Sequence, residues 1–354
     1  MRSKTKTIIA LSIIPQIAIV KLLSNFPQFI ELFYSRGIYV WISKAMRLVF
    51  GWIPFSVGDI LYTLAAIYLI RWLWKNWKRV FKETKLFVRD IFVVISLTYF
   101  SFHMLWGFNY YREPLHETLG LGYKYNTQEL IMVTDLLVKR ANDLHEVLET
   151  NDTIKISMPY TKSELLKKVR IGYDKLGDEL PNMDPLPISL KRSIYSVPLT
   201  YMGFGGYLNP FTNEAQIDGI VPIHKYPSTG SHELAHQIGY AAENEANFIG
   251  YLACLNHPDP YFKYSGAIFG LKYCLIELAR RDENAFEKAR EQIRPGILSN
   301  YDEKREFWLS YQNPLEPFFK ETFDTFLKAN SQSQGIESYS YVVALIVNFK
   351  KEQP

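Results

Sequence analysis

Apolar residues dominate the first third of the chain in three long runs. The runs cover residues 7–23, 55–74 and 91–108, and each is about long enough to cross roughly 30 Å of hydrocarbon as a helix. Gln16 and Lys21 interrupt the first run, and Pro15 can kink it. Aromatic residues lie near the ends of the runs, as in an aromatic belt: Trp72, Trp74, Trp77, Trp106, Tyr110 and Tyr111. We therefore predict three transmembrane helices.

Basic residues set the predicted orientation of these helices. The loop between the second and third runs carries Arg71, Lys75, Lys78, Arg79, Lys82, Lys85 and Arg89, and the N-terminus carries Arg2, Lys4 and Lys6. Short basic loops stay in the cytoplasm, so the chain after about residue 111 is expected outside the membrane. Residues 26–52 are predicted to form an interfacial or re-entrant helix. A fourth crossing there, which the sequence leaves open, would invert the orientation.

After residue 112 the pattern becomes that of a globular domain. Apolar residues at helical spacing predict helices over 125–150 and 161–176, whereas Pro, Gly and Asn divide residues 188–221 into short strands. The sequence after Ser231 is predicted to be mostly helical. We predict a mainly α protein with a membrane domain, residues 1–112, followed by an α+β domain with a small sheet, residues 113–354.

Composition narrows the function classes. A hydrophobic fraction of 48% and a charged fraction of 21% exclude a disordered chain of 354 residues. The net charge of +4 is too small to indicate a nucleic-acid partner. Two cysteines exclude a disulfide framework and a four-cysteine metal site. The mean hydropathy of −0.09 averages over an apolar first third and a polar remainder.

The candidate metal ligands and the candidate general base lie within residues 231–252. His232 and His236 are four residues apart, so on a helix both project from one face at the spacing that holds one zinc ion. Glu233 lies beside them, where it can act as general base on a metal-activated water. The alternative is a helix surface with two ordinary histidines.

A third protein ligand is expected from the segment that follows. Gly239 can end the first helix, and Glu243 then opens a second, apolar helix. Glu243 and Glu245 lie about 200° apart on a helix and cannot both face one metal ion. We prefer Glu243 as the third ligand, with Asn247 on the same face as a supporting partner. Glu245 remains the alternative ligand.

The motif resembles a known class of enzymes. His232-Glu233-x-x-His236 followed by Glu243-x-x-Ala246-Asn247 resembles the gluzincin branch of the zincin metallopeptidases. HELAHQxGxAxExEANF, with NPFTNEA before it and DPYFKYSG after it, is similar to a bacterial family of multi-pass membrane proteins of unknown function. The likeness covers most of the chain and implies a zincin-like fold that binds Zn²⁺ through His232, His236 and a glutamate.

The resemblance also implies a peptide-binding strand, because zincins add an extended peptide to the edge of a small sheet. Residues 214–218 and 219–221 are the expected edge, or else an ordinary hairpin, and Gly203, Gly205 and Gly206 would permit close backbone approach. Three tyrosines are possible transition-state donors, namely Tyr240, Tyr264 and Tyr339. His224 is expected on a surface loop.

These features predict a zinc-dependent metallopeptidase anchored in the bacterial inner membrane, with its catalytic domain on the periplasmic side. Its partners would be the lipid bilayer and a peptide or protein substrate, including envelope or membrane proteins. One alternative is a zinc-stabilised envelope receptor or scaffold without turnover. Another is a metal-dependent hydrolase of a non-peptide envelope substrate, such as a lipid or a peptidoglycan stem.

Overall fold

The protein is mainly helical, with one small sheet, as the sequence predicts. The computed structural model describes residues 3–177, 180, 183, 187–332 and 339–352. The helices of the first third are α1 Ser3–Leu11, α2 Ile13–Leu23, α3 Pro27–Phe29, a π-helix Ile30–Ile38, α4 Tyr39–Phe50, α5 Val57–Asn76, α6 Arg79–Lys82 and α7 Thr84–Leu105.

The remainder of the chain adds two short 3₁₀ helices, Gly107–Tyr111 and Ile223–Lys225, and twelve α-helices. The α-helices are α8 Leu115–Thr118, α9 Thr127–Leu148, α10 Lys162–Lys168, α11 Arg170–Leu176, α12 Ser196–Met202, α13 Tyr226–Gln237, α14 Glu243–Asn256, α15 Pro260–Arg281, α16 Glu283–Glu291, α17 Pro295–Ser310, α18 Glu316–Ala329 and α19 Tyr339–Glu352.

Three helical stretches are long and apolar enough to cross a membrane. They are Ser3–Leu23, Val57–Asn76 and Thr84–Leu105, which overlap the three predicted runs. The first is interrupted at Ser12, between α1 and α2. Pro15 explains the interruption, because a proline has no N–H for the carbonyl four residues earlier, that of Leu11.

The basic ends of these helices meet around one carboxylate. Asp90 accepts from Lys6 at 3.3 Å, from Arg79 at 3.1 Å and from Arg89 at 2.8 Å. The N-terminus and the basic loop therefore lie at the same end of the helices. The first residues of α5 lie at the opposite end, where they contact the sheet.

The segment between α2 and α5 stays on the sheet side. Near its start, Glu31 forms an ion pair of 2.7 Å with Arg112, and at its end the carbonyl oxygen of Phe50 accepts from Lys191 at 2.8 Å. Both partners belong to the region after α7. Both ends of residues 26–52 therefore contact the region after α7, and among the described residues this segment is not one of the helical stretches long and apolar enough to cross a membrane.

The sheet has three strands, β1 Leu190–Arg192, β2 Gly206–Asn209 and β3 Glu214–Ile217, in the order β1-β3-β2. β1 is parallel to β3, and β2 is antiparallel to it. The prediction that residues 214–218 form the edge was wrong, because β3 is central and its backbone is paired on both sides. The free edge beside the site belongs to β2. The prediction of short strands over residues 188–221 was only partly correct, because α12 lies between β1 and β2.

Buried polar contacts join α5 to the sheet. The carboxylate of Asp59 accepts from the hydroxyl of Ser193 at 2.9 Å and from the N–H of Ile194 at 2.8 Å. Glu214 accepts from the N–H of Gly58 and pairs with Lys191. Each of these groups needs its partner because it is removed from water. The predicted domain boundary at residue 112 is therefore crossed by contacts that fix the sheet to the membrane helices.

Candidate metal centre

Helix α13 carries the paired histidines and ends where the sequence predicts. Gly239 has a φ of 99°, a left-handed conformation that favours glycine, and the chain then turns into α14. A second glycine lets the two helices approach, since a Cβ at Gly250 of α14 would lie 2.9 Å from the backbone nitrogen of His232. α14 therefore lies directly against α13 at His232.

The side chains of His232, His236 and Glu243 converge. Nε2 of His232 lies 3.4 Å from one carboxylate oxygen of Glu243, and Nε2 of His236 lies 3.6 Å from the other. The two imidazole rings are nearly perpendicular, at 86°, with centroids 4.6 Å apart. Ligand atoms of Glu233 and both histidines also lie within 4.8 Å of one another. Two imidazoles and carboxylates at this spacing are a donor set that suits zinc.

Hydrogen bonds to backbone groups hold the end of α13 in place. Nδ1 of His236 lies 2.7 Å from the carbonyl oxygen of Tyr240, which leaves Nε2 for a metal. The indole N–H of Trp106 donates to the carbonyl of His236 at 3.2 Å, and the hydroxyl of Tyr39 donates to the carbonyl of Gln237 at 2.8 Å. Residues of the first third therefore position the end of α13.

The electrostatics of the group favour a bound cation. Burial raises the pKa of Glu233 to about 7, although both histidines oppose the shift. Burial disfavours a charged His236, but Glu243 and Glu233 outweigh it and raise the pKa of His236 to about 9. Burial favours a raised pKa for Glu243 as well, but the two histidines outweigh it and hold the pKa of its carboxyl far below the usual range. One oxygen of Glu233 is buried without a hydrogen-bond partner among the described residues, so it is free to bind water.

Glu245 and Asn247 occupy different environments. Oε1 of Glu245 accepts from the N–H of Leu115 at 2.6 Å, at the first residue of α8, and the pKa of Glu245 rises to about 7 through burial, opposed by Arg112. Glu245 therefore faces away from the histidines. Asn247 lines the same cavity as the histidines. Among the described residues, it makes no hydrogen bond to His232, His236 or Glu243.

Glu243 and the histidines open into a large cavity of about 1410 Å³. Its walls include residues of α13, β2, α18 and the C-terminal half of α7, such as Val94 and Phe102. Gly206 of β2 borders Glu233 directly, because a Cβ there would lie 2.5 Å from Oε1. The cleft thus runs from His232, His236 and Glu243 along the edge of β2 towards α7.

The tyrosines and His224 lie elsewhere than expected. Tyr240 packs under Arg112, whose guanidinium is 3.9 Å from the ring centroid, and Tyr264 donates to Asn300 at 2.7 Å. The side chain of Tyr339 lies outside the described residues. The tyrosines that line the cavity include Tyr110, Tyr207 and Tyr273. His224 is buried, 3.3 Å from Glu303, and not on a surface loop.

No periodicity or motif marks Tyr110 or Tyr207 as cavity residues, because only the tertiary fold brings them to the cleft. Gly206 was predicted to permit close backbone approach, and it does border Glu233. A family described as "Protein of unknown function (DUF3810)" matches residues 34–347, so the chain belongs to that family. No curated protein and no solved structure matches the chain.

Proposed function

We propose that this DUF3810 protein is a membrane-anchored, zinc-dependent metallopeptidase. The observation that carries the proposal is the convergence of His232, His236 and Glu243 beside the partner-free oxygen of Glu233. Three protein ligands with an open fourth position are typical of catalytic zinc, whereas structural zinc is usually closed by four protein ligands. The geometry therefore favours turnover over a purely structural metal.

Zinc held there would lower the pKa of a bound water and polarise the scissile carbonyl. Glu233 takes the proton from the attacking water and passes it to the leaving amine. Glu233 suits both steps, because a carboxylate oxygen without a hydrogen-bond partner among the described residues can accept a proton and then donate it. His236 is held in one tautomer by Tyr240, and this keeps its Nε2 directed at the metal position.

The free edge of β2 is the proposed substrate platform. In the described part of the chain, β2 pairs with β3 on one side only, so backbone groups on its other side are available to an extended peptide. Gly205 and Gly206 form part of the cavity wall next to Glu233. A peptide added to this edge would pass directly over the general base.

The proposed location is the bacterial inner membrane, with the cleft on the periplasmic side. The basic ends of the helices lie together around Asp90, at the end away from the sheet. Basic segments remain in the cytoplasm, and this orientation puts the cleft outside. Because α7 contributes to the cavity wall, the substrate is proposed to be a peptide segment of an envelope or membrane protein close to the bilayer.

The test combines metal content with cleavage on the detergent-solubilised full chain. We expect about one zinc per chain, with cleavage of a peptide library that is lost on chelation and restored by zinc. Stoichiometric zinc without cleavage of any peptide would contradict the peptidase. In that case, hydrolysis of lipid or peptidoglycan-stem substrates would identify the non-peptide hydrolase, and its absence would identify the zinc-stabilised scaffold.

A further inference from the structure

Three lysines from three separate elements meet in the wall of the cleft. Lys225 ends the 3₁₀ helix before α13, Lys272 lies on α15 and Lys304 lies on α17. All three line the main cavity and an adjoining recess of about 140 Å³, whose wall also includes Ser228 and Tyr273. The recess is therefore continuous with the cavity that contains the metal centre.

The three ammonium groups lack anionic partners among the described residues. The side chain of Lys304 contacts both Lys225 and Lys272. Asp218 acts on Lys225 through space but makes no ion pair with it. Glu303, the sequence neighbour of Lys304, is engaged by Lys155 at 2.9 Å and by His224. Among the described residues, no ion pair neutralises the cluster, and Asp218 acts on it only through space.

Such a cluster works against the folded state. Burial, reinforced by Lys272, lowers the pKa of Lys225 to about 8. Burial and the two neighbouring cations hold the pKa of Lys304 well below its usual range. Like charges brought together out of water destabilise a protein, and groups kept despite that cost are typical of binding sites. Lys320 provides a contrast, because it lines the same cavity but pairs with Glu316.

We propose that Lys225, Lys272 and Lys304 form a subsite for the carboxylate of a peptide substrate, which is either an acidic side chain or a chain end. The peptide assignment rests on the proposed function, whereas binding of an oxyanion by the lysines does not. The recess has room for a carboxylate on a short side chain. The cavity that leads to it follows the β2 edge, where an extended peptide would lie.

Inorganic phosphate is the first probe, because it has the same oxyanion chemistry and needs no turnover. It is titrated calorimetrically into the full-length protein at constant ionic strength. The titration is repeated with the His236→Ala variant, so that phosphate bound at the metal centre is not counted. We expect saturable binding in both. Lys272→Met and Lys304→Met should each weaken it about tenfold, as expected for loss of one charged hydrogen bond.

Lys320→Met is the matched control and should change phosphate affinity less than twofold. Failure to fold does not confuse the result, because removing one of three repelling charges should raise the melting temperature of Lys304→Met. Equal phosphate affinity in the wild type and in both lysine variants would overturn the subsite. Absence of saturable binding in the wild type would overturn it as well.

A second set of experiments tests whether the bound oxyanion belongs to a peptide or to a lipid headgroup. Glutamate-containing peptides should displace phosphate, and their glutamine counterparts should not. In cleavage assays, Lys304→Met should raise KM for the acidic peptides about tenfold with little change in kcat. Displacement by phosphatidylglycerol nanodiscs but not by acidic peptides would overturn the peptide assignment. Intact phosphate binding without any peptide cleavage would count against the peptidase and not against the lysine subsite.

Discussion

The backbone of Gly206 touches the carboxylate of Glu233 so closely that a Cβ at Gly206 would lie 2.5 Å from Oε1. Gly206→Ala should therefore displace either the strand or the general base. A misplacement of about 1 Å at a catalytic group costs on the order of 100-fold in rate. We expect kcat/KM to fall by about that factor with zinc content unchanged. Gly205→Ala is the control, because its Cβ would meet only a methyl group of Thr229 at 3.7 Å.

Replacing Glu233 by Gln tests the general base directly. The amide keeps the size of the carboxylate but cannot accept the proton of water. We expect zinc to remain and cleavage to fall by about 10²- to 10⁴-fold. Glu287→Gln, on an exposed part of α16, should leave both quantities unchanged. Undiminished cleavage by Glu233→Gln would refute the proposed mechanism.

Replacement of Glu243 should remove zinc, whereas replacement of Glu245 should lower stability. Glu243→Ala should abolish stoichiometric zinc, because its carboxylate lies against both histidines. Glu245→Ala should retain zinc but lower the free energy of unfolding by about 1–3 kcal/mol, since the buried N–H of Leu115 loses its acceptor. Metal analysis and denaturant unfolding measure the two effects. The reverse pattern would make Glu245 the ligand.

Arg112 is predicted to support the metal centre from outside it. Its guanidinium pairs with Glu31, donates to the carbonyl of Gly239 at 2.9 Å and covers Tyr240. Because this turn supplies the acceptor for Nδ1 of His236, Arg112→Met should weaken zinc binding about 10- to 100-fold. It should also destabilise the fold by about 3–5 kcal/mol.

Arg36→Met is the control for Arg112. Arg36 also pairs with Glu31, at 2.7 Å, but its side chain is 32% exposed, and among the described residues it makes no hydrogen bond to the turn after α13. We expect zinc affinity in this variant to match the wild type in a chelator competition. Similar losses in both arginine variants would show that the charge of Glu31, and not the turn, is what matters.

The lysine cluster should make stability depend on pH. Lys225 faces Lys272, Lys304 and Asp218, and burial lowers its pKa to about 8 from the ordinary value of 10.5. Between these values the unfolded state binds more protons than the folded state, so stability rises with pH. Unfolding from pH 7.5 to 9.5 should show a smaller rise in Lys225→Met than in the wild type. If the free energy of unfolding rose equally with pH in the two proteins, the lowered pKa of Lys225 would be contradicted.

Local patterns predicted the long elements, and tertiary contacts decided the rest. The three membrane runs and the helix over 125–150 follow from hydrophobicity and period, and the end of α13 follows from Gly239. The sheet edge was mistaken because two strands of four residues, β2 and β3, cannot be ordered from their composition. The contacts of Arg112 and the meeting of the lysines join residues far apart in sequence, and no spacing rule applies to them.

The hydrogen bonds from Tyr39 and Trp106 to the end of α13 have a consequence for how the protein must be made. Both donors precede residues 226–237 in the chain and are therefore synthesised before them. A soluble fragment that starts at residue 113 would leave the carbonyls of His236 and Gln237 without these partners. We therefore expect such a fragment to hold the end of α13 less firmly than the full chain, so protein prepared for metal analysis should include the segment before residue 113.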